Sequence, residues 1–237
     1  STSSDGGQRS LAPTMEQQIT FSSDHLRLEG LWRPAAGRRP AAGSRAVVVA
    51  HPHPLYGGDM HNPVVAAIAD AFTRCGYAAL RFNFRGTGAS TGRYDDGAGE
   101  GRDLCAAVRW VGEQTGASVS VAGYSFGAWV AAGADLAQET EGGHRRQPPL
   151  YLVSPPVAFI SFEAAPAPAD LRAVAAGNRD EFAPLGQVQA LLERWQTGPG
   201  LDVIDGADHF YSGRLRQLAQ TLESRIPSLD DAHGRPP

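Results

Sequence analysis

Three side chains spread along this 237-residue chain are of the types that together perform acyl transfer: Ser125, Asp180 and His209. A serine hydroxyl is a poor nucleophile near neutral pH, so it needs a general base, and the base needs a carboxylate to orient it. Ser125 sits in Gly123-Tyr124-Ser125-Phe126-Gly127, a G-x-S-x-G pattern. In a chain with 28 glycines the pattern alone is weak, and its bland reading is a glycine-rich turn ahead of a helix N-cap. Placement raises it. Ser125 falls where the expected strand SVSVAGY meets the expected helix FGAWVAAGADLA, and a sharp turn there lifts the hydroxyl above a sheet while excluding flanking side chains. His209, in DGADHFYSG, directly follows the expected strand LDVIDGA, and Asp180, in AAGNRDEF, follows DLRAVAAG. All three therefore project from strand ends on one edge of a sheet. Glu181, Asp202, Asp205 and Asp208 compete for the acid's place, but Asp205 and Asp208 lie on the histidine's own strand and loop, too near in sequence to arrive from a neighbouring strand.

A second concentration of reactive types is HPHPLYGGDMHN, residues 51–62. His51 and His53 would share one side of a strand, as in hydrolases that hold zinc through an H-x-H pair, with Asp59 or His61 as a further ligand. A three-ligand site needs histidines from other strands, and only His144, in a polar loop, and His209 remain. The expectation is accordingly no metal and no cofactor, with His51 and His53 bracing the loop by hydrogen bonds. The loop GTGASTG fails the G-x-G-x-x-G spacing and follows a later strand, so its glycines fit tight turns better than a dinucleotide. Arg85 is open between an ion-pair role and an approach to the site.

The elements that must position these residues alternate. Gln17–Thr20 and Leu26–Trp32 read as an antiparallel hairpin around SSDH, and AVVVAHP is a short valine-rich run suited to a strand buried on both faces. A helix is expected from Pro63 to about Cys75, with Asn62 as N-cap, Pro63 at the first helical position and Gly76 as the stop. YAALRFNF is the next strand, a helix runs from about Glu100 to Gln114, and after the Ser125 turn come the strands PLYLVSPP and DLRAVAAG, the helix PLGQVQALLERWQ, the strand LDVIDGA and the closing amphipathic helix GRLRQLAQTLESRI. A mostly parallel sheet with an antiparallel N-terminal hairpin and helices on both faces follows. The order Ser125, Asp180, His209 is the one expected when a triad is built on an α/β-hydrolase sheet.

Length permits one domain with a sizeable core, expected over 16–228, with 1–15 and 229–237 as flexible tails. Charged residues make up 19% and the net charge is −4, which argues against nucleic acid as a partner. No apolar run reaches the roughly 18 to 20 residues of a membrane span. Cys75 and Cys105, each in apolar helix-like sequence, read as reduced, buried thiols. A cytoplasmic monomer or homodimer is the expectation, with a trimmed organelle transit peptide as the alternative for the Ser-rich start.

The combination HPHPLYGGDMHN, RFNFRGTGASTG, GYSFG, GNRDEF and GADHF resembles the small bacterial α/β-hydrolases related to dienelactone hydrolases, over nearly the whole chain after residue 16. The resemblance implies the hydrolase fold and a Ser-Asp-His triad. Serine stands where dienelactone hydrolase itself has cysteine, so that enzyme's lactone activity does not carry over. In this fold one oxyanion donor is the N–H after the nucleophile, here Phe126, and the other comes from the loop after the first central strand. Pro52 and Pro54 have no N–H, which leaves His53, Leu55 and Tyr56; the likeness of LYGG to the oxyanion turn of that group favours Leu55, with His53 second. About sixteen residues near Val153–Asp170 are too few for a helical lid. The rim candidates Leu55, Tyr56, Phe126, Phe159, Phe162, Phe182 and Phe210 are apolar, with Tyr56, Phe182 and Phe210 expected to bind substrate. The expected activity is hydrolysis of carboxylic esters or thioesters of small to medium acyl groups through an acyl-enzyme. An acyltransferase or cyclase on the same fold, a zinc hydrolase using His51 and His53, and a silent scaffold are the alternatives.

Overall fold

The computed structural model describes residues 15–35, 44–139, 145–196 and 198–227. Of the expected tails only Met15 is described; residues 1–14 and 229–237 lie outside the described residues, as does His144.

Strands β1 (Gln17–Ser23) and β2 (Leu26–Arg33) form the antiparallel hairpin. Next come β3 (Arg45–Ala50), α1 (Pro63–Arg74), β4 (Ala78–Phe82), α2 (Ala98–Thr115), β5 (Ser118–Tyr124) and α3 (Phe126–Gly133). A two-residue ribbon follows, β6 (Gln138–Glu139) with β7 (Arg145–Arg146), and then β8 (Leu150–Val153), β9 (Leu171–Gly177), α4 (Leu185–Trp195), β10 (Leu201–Ile204) and α5 (Leu215–Glu223). The main sheet runs β1-β2-β4-β3-β5-β8-β9-β10, antiparallel where β2 meets β4 and parallel from β4 to β10.

The valine run works as its composition requires. In β3, Val47 and Val49 face one core with Val64, Ile68 and Phe72 of α1 and Leu218 and Leu222 of α5. Ala46, Val48 and Ala50 face the other, with Leu104 and Val108 of α2, Val130 of α3 and Leu192 of α4. A strand covered by helices on both sides has no polar face, which is why its sequence shows no alternation. Asn62 caps α1 as expected, its side chain accepting the Val64 N–H at 2.9 Å, with Pro63 at the first helical position.

Three expectations are corrected. Helix α3 stops at Gly133, because Ala134 turns to extended backbone (φ −80°, ψ 144°) and Leu136 leaves the helix line to enter the core. Residues 54–56, read as part of the loop after the first central strand, form a 3-10 turn. Cys75 and Cys105 are free thiols, but half-buried rather than buried. The connection from β8 to β9 contains turns and bends only, so no helical lid stands there.

Candidate active site

The parallel strands end on one edge, and the reactive residues follow them there: His53 after β3, Ser125 after β5, Asp180 after β9 and His209 after β10. The turn at Ser125 is tight because α3 is pressed against the end of β3. A Cβ on Gly127 would lie 2.4 Å from the Ala50 carbonyl oxygen, and one on Gly123 would lie 2.3 Å from that of Gly127. Only glycine allows both approaches. Between them Ser125 takes φ 54°, ψ −119°, a conformation costing a non-glycine residue about 1 to 3 kcal/mol, and its N–H is tied to the Val153 carbonyl at 2.9 Å.

The structure brings Ser125, His209 and Asp180 together. His209 Nε2 lies 2.9 Å from Ser125 Oγ, and Nδ1 lies 2.9 Å from each Asp180 carboxylate oxygen. All three residues are buried. Asp180 Oδ1 also accepts the N–H groups of Phe182 and Ala183, each at 2.9 Å. Burial presses the Asp180 carboxyl upward, but hydrogen bonds from His209, its charge, and the donors of Ser154 and Ala183 outweigh this and hold it below the usual carboxylate range. Tyr124 Oη donates to the His209 carbonyl at 2.8 Å, and the Phe182 ring stands 4.6 Å from the imidazole, so backbone and ring of the histidine are both restrained. The competing acids are used elsewhere: Asp202 pairs with Arg225, Asp205 accepts from Asn178, Asp208 accepts the Ser212 N–H, and Glu181 is exposed.

The loop after β3 differs from expectation at one atom. The Leu55 N–H, favoured as oxyanion donor, is given to His53 Nδ1 at 3.2 Å, as the cap of the 3-10 turn, and the Leu55 side chain is exposed. The N–H groups of Tyr56 and Gly58 both go to the His53 carbonyl, and that of Gly57 to Pro54. His53 N–H is the one in this turn with no partner among the described residues. Phe126 N–H is in the same condition, as the first residue of a helix must be unless a cap serves it. Both residues line the same cavity as Ser125. His53-Pro54 repeats the Asn62-Pro63 pattern, an N-cap followed by proline at the first helical position, and that repetition was the sequence signal for where the Leu55 N–H goes.

The histidine rings are engaged by the protein. His51 is fully buried; its Nδ1 contacts the Pro52 carbonyl at 2.6 Å and its Nε2 accepts the Phe84 N–H at 3.0 Å, which ties the end of β3 to the end of β4. Burial, partly offset by the Pro52 carbonyl, drives its pKa down to about 4. His53 Nε2 lies 3.2 Å from Tyr94 Oη. Among the described residues no three His, Cys, Asp or Glu stand close enough to share a metal ion. Arg85 makes a buried bidentate pair with Asp103, at 3.0 and 2.8 Å, and belongs to the scaffold.

A cavity of about 420 Å³ opens over Ser125. Tyr56, Phe159, Phe182 and Phe210 form its aromatic wall, with Pro156 and Ile160 between them, and no Asp, Glu, Lys or Arg lines it. Of the rim candidates, Phe162 is instead packed in the core against Trp195, and Leu55 lies outside the lining. Pro156 and Ile160 were not anticipated as walls.

The sheet order and the helices on both faces define the class: an α/β hydrolase without a lid. The profile of the X-Pro dipeptidyl-peptidase (S15 family) matches residues 24–144. An uncharacterized protein of Rickettsia prowazekii is 33% identical over 224 residues, covering 90% of this chain and 89% of that one. An α/β serine hydrolase homologue from Coxiella burnetii is 32% identical with a TM-score of 0.76, covering 89% of this chain and 97% of that one. An α/β serine hydrolase without lid from Xanthomonas campestris is 31% identical with a TM-score of 0.78, covering 91% and 95%. The chain belongs to the α/β serine hydrolases and, within them, to the family that the S15 profile describes. A dienelactone hydrolase from Anabaena variabilis, 18% identical with a TM-score of 0.70, shares the fold.

Proposed function

We propose that this hydrolase cleaves carboxylic esters or thioesters of small to medium, uncharged acyl groups through an acyl-enzyme on Ser125. The observation that carries the reading is the hydrogen-bonded line Asp180, His209, Ser125, at 2.9 Å per step, opening into a cavity walled by aromatic rings and lined by no Asp, Glu, Lys or Arg. A dipeptidyl-peptidase of the X-Pro kind has to hold a free N-terminal ammonium, and an ammonium taken into a cavity needs a carboxylate or a cluster of acceptors to replace its water. No acidic side chain lines this cavity, and Asp180, behind the imidazole, already accepts from four partners. An uncharged ester fits where such a peptide does not.

In the proposed mechanism Ser125 Oγ attacks the substrate carbonyl as His209 Nε2 takes its proton. Asp180, ionised throughout, keeps the Nδ1–H of His209 oriented and stabilises the imidazolium without accepting its proton. The oxyanion forms against the free N–H groups of Phe126 and His53, the latter replacing Leu55 in this role. The imidazolium returns its proton to the leaving oxygen or sulfur, and water, activated by the same nitrogen, releases the acid. Placement in the cytoplasm accords with two free thiols and with the absence, among the described residues, of a helix long and apolar enough to cross a membrane. Turnover of a p-nitrophenyl butyrate by the wild type but not by Ser125→Ala tests the reading; equal turnover by both overturns it.

A further inference from the structure

We infer that the His53 side chain is a positioning residue that shapes the oxyanion hole, and that it works only in its neutral form. The inference rests on the hydrolase reading above. Two observations carry it. Nδ1 of His53 accepts the Leu55 N–H, and a ring nitrogen that accepts carries no proton, so the other nitrogen, Nε2, bears the hydrogen and gives it to Tyr94 Oη. The same ring packs on Phe126 at 4.7 Å and on Tyr56 at 4.8 Å. One imidazole thus pins the turn that presents its own backbone N–H and presses on the residue that presents the other. Protonation at Nδ1 removes the acceptor: two N–H groups then face each other and the turn loses its cap.

The groups facing this ring from each packed element are few. His51, neutral and buried, lies behind it on the same segment, with Tyr56 on the turn itself. Tyr94 and Asp96 face it from the loop after β4, and Phe126, without charge, from α3. Burial lowers the His53 pKa and Asp96 opposes the shift. The folded form therefore favours the neutral ring: the cap is whole above the free histidine pKa and is lost as pH falls through the lowered one. Asp180 stays ionised in that window, since its carboxyl is held below the usual range. Turnover should then be fastest while His53 is neutral and its cap intact.

Asn62 shows which substitution separates the cap from the titration. With φ −50°, ψ 133° against −57°, 122° at His53, and with proline following, its side-chain oxygen accepts the N–H two residues on, as the imidazole does. His53→Asn keeps an acceptor that does not titrate, whereas His53→Leu keeps bulk and loses the acceptor. With p-nitrophenyl butyrate at pH 8, His53→Leu should lose about 10- to 100-fold in kcat with KM within about threefold, as expected for a displaced oxyanion donor, and His53→Asn should recover at least tenfold of that loss. At the acid end the logarithm of kcat/KM should fall more steeply in the wild type than in His53→Asn, the extra loss reaching about the 10- to 100-fold that the cap is worth. An unchanged kcat in His53→Leu, or the same acid slope in wild type and His53→Asn, overturns the inference. Wild-type enzyme that turns over no ester at all, or Ser125→Ala that matches it, overturns the hydrolase reading instead.

Discussion

His51 carries a cost that only a buried histidine has. Its neutral ring holds the ends of β3 and β4 together, and protonating it in the folded chain would put an unpaired charge in the core. Its pKa is about 4 in the fold against 6.5 when free, so between those values the unfolded chain binds the extra proton and stability falls with falling pH. The difference corresponds to a loss of on the order of 3 kcal/mol across that window. Urea unfolding at pH 7 and pH 4.5 should show the loss, and His51→Gln, less stable at pH 7, should show a flatter dependence. Asp180 makes the second prediction at this scale. Asp180→Asn leaves the side chain's shape but favours the tautomer in which Nε2 of His209 is protonated and cannot take the serine proton; kcat should fall by on the order of 10⁴ with folding intact. What was legible here was type and order: Ser125, Asp180 and His209 each stood after its own strand. What was not legible was the fate of single N–H groups. The engagement of the Leu55 N–H by His53 Nδ1 went unread because a 3-10 turn of three residues has no periodicity, and its cap is a histidine, which is not a residue commonly sought at that position.

At the scale of elements, the strand-turn-helix at Ser125 depends on the distance between α3 and β3. Gly127→Ala places its Cβ against the Ala50 carbonyl, so α3 must back away and the nucleophile with it; a loss of about 1 to 3 kcal/mol in thermal unfolding, together with most of the hydrolase activity, is expected. Gly133, at the other end of the same helix, has nothing within 4 Å of an added Cβ, and Gly133→Ala should be neutral or stabilising by up to about 1 kcal/mol with activity intact. Similar losses from both would refute the packing argument. The sequence displayed the long central elements because their burial on both faces leaves a continuous apolar run. It did not display β6 and β7, two residues each, nor the end of α3, where GADLA remains helix-like in composition while Leu136 is drawn into the core.

For the molecule as a whole, one edge of the sheet gathers the reactive residues under a cavity lined by no Asp, Glu, Lys or Arg, and among the described residues no lid covers it. Phe159, Phe210 and Tyr56 stand exposed at its mouth. Substrate choice should follow that surface: kcat/KM for uncharged butyryl and hexanoyl esters should exceed that for an X-Pro dipeptide anilide by at least about 100-fold, since the anilide's ammonium finds no carboxylate. The family match to X-Pro dipeptidyl-peptidases makes this comparison informative, because it sets the chemistry of this cavity against the activity named for the profile. The most direct test of the central claim is to treat the protein with a fluorophosphonate and locate the adduct by peptide mass spectrometry. The account predicts a single adduct on Ser125, absent in Ser125→Ala and slowed in Asp180→Asn; labelling undiminished in Ser125→Ala, or an adduct on another residue with ester turnover retained, would contradict it.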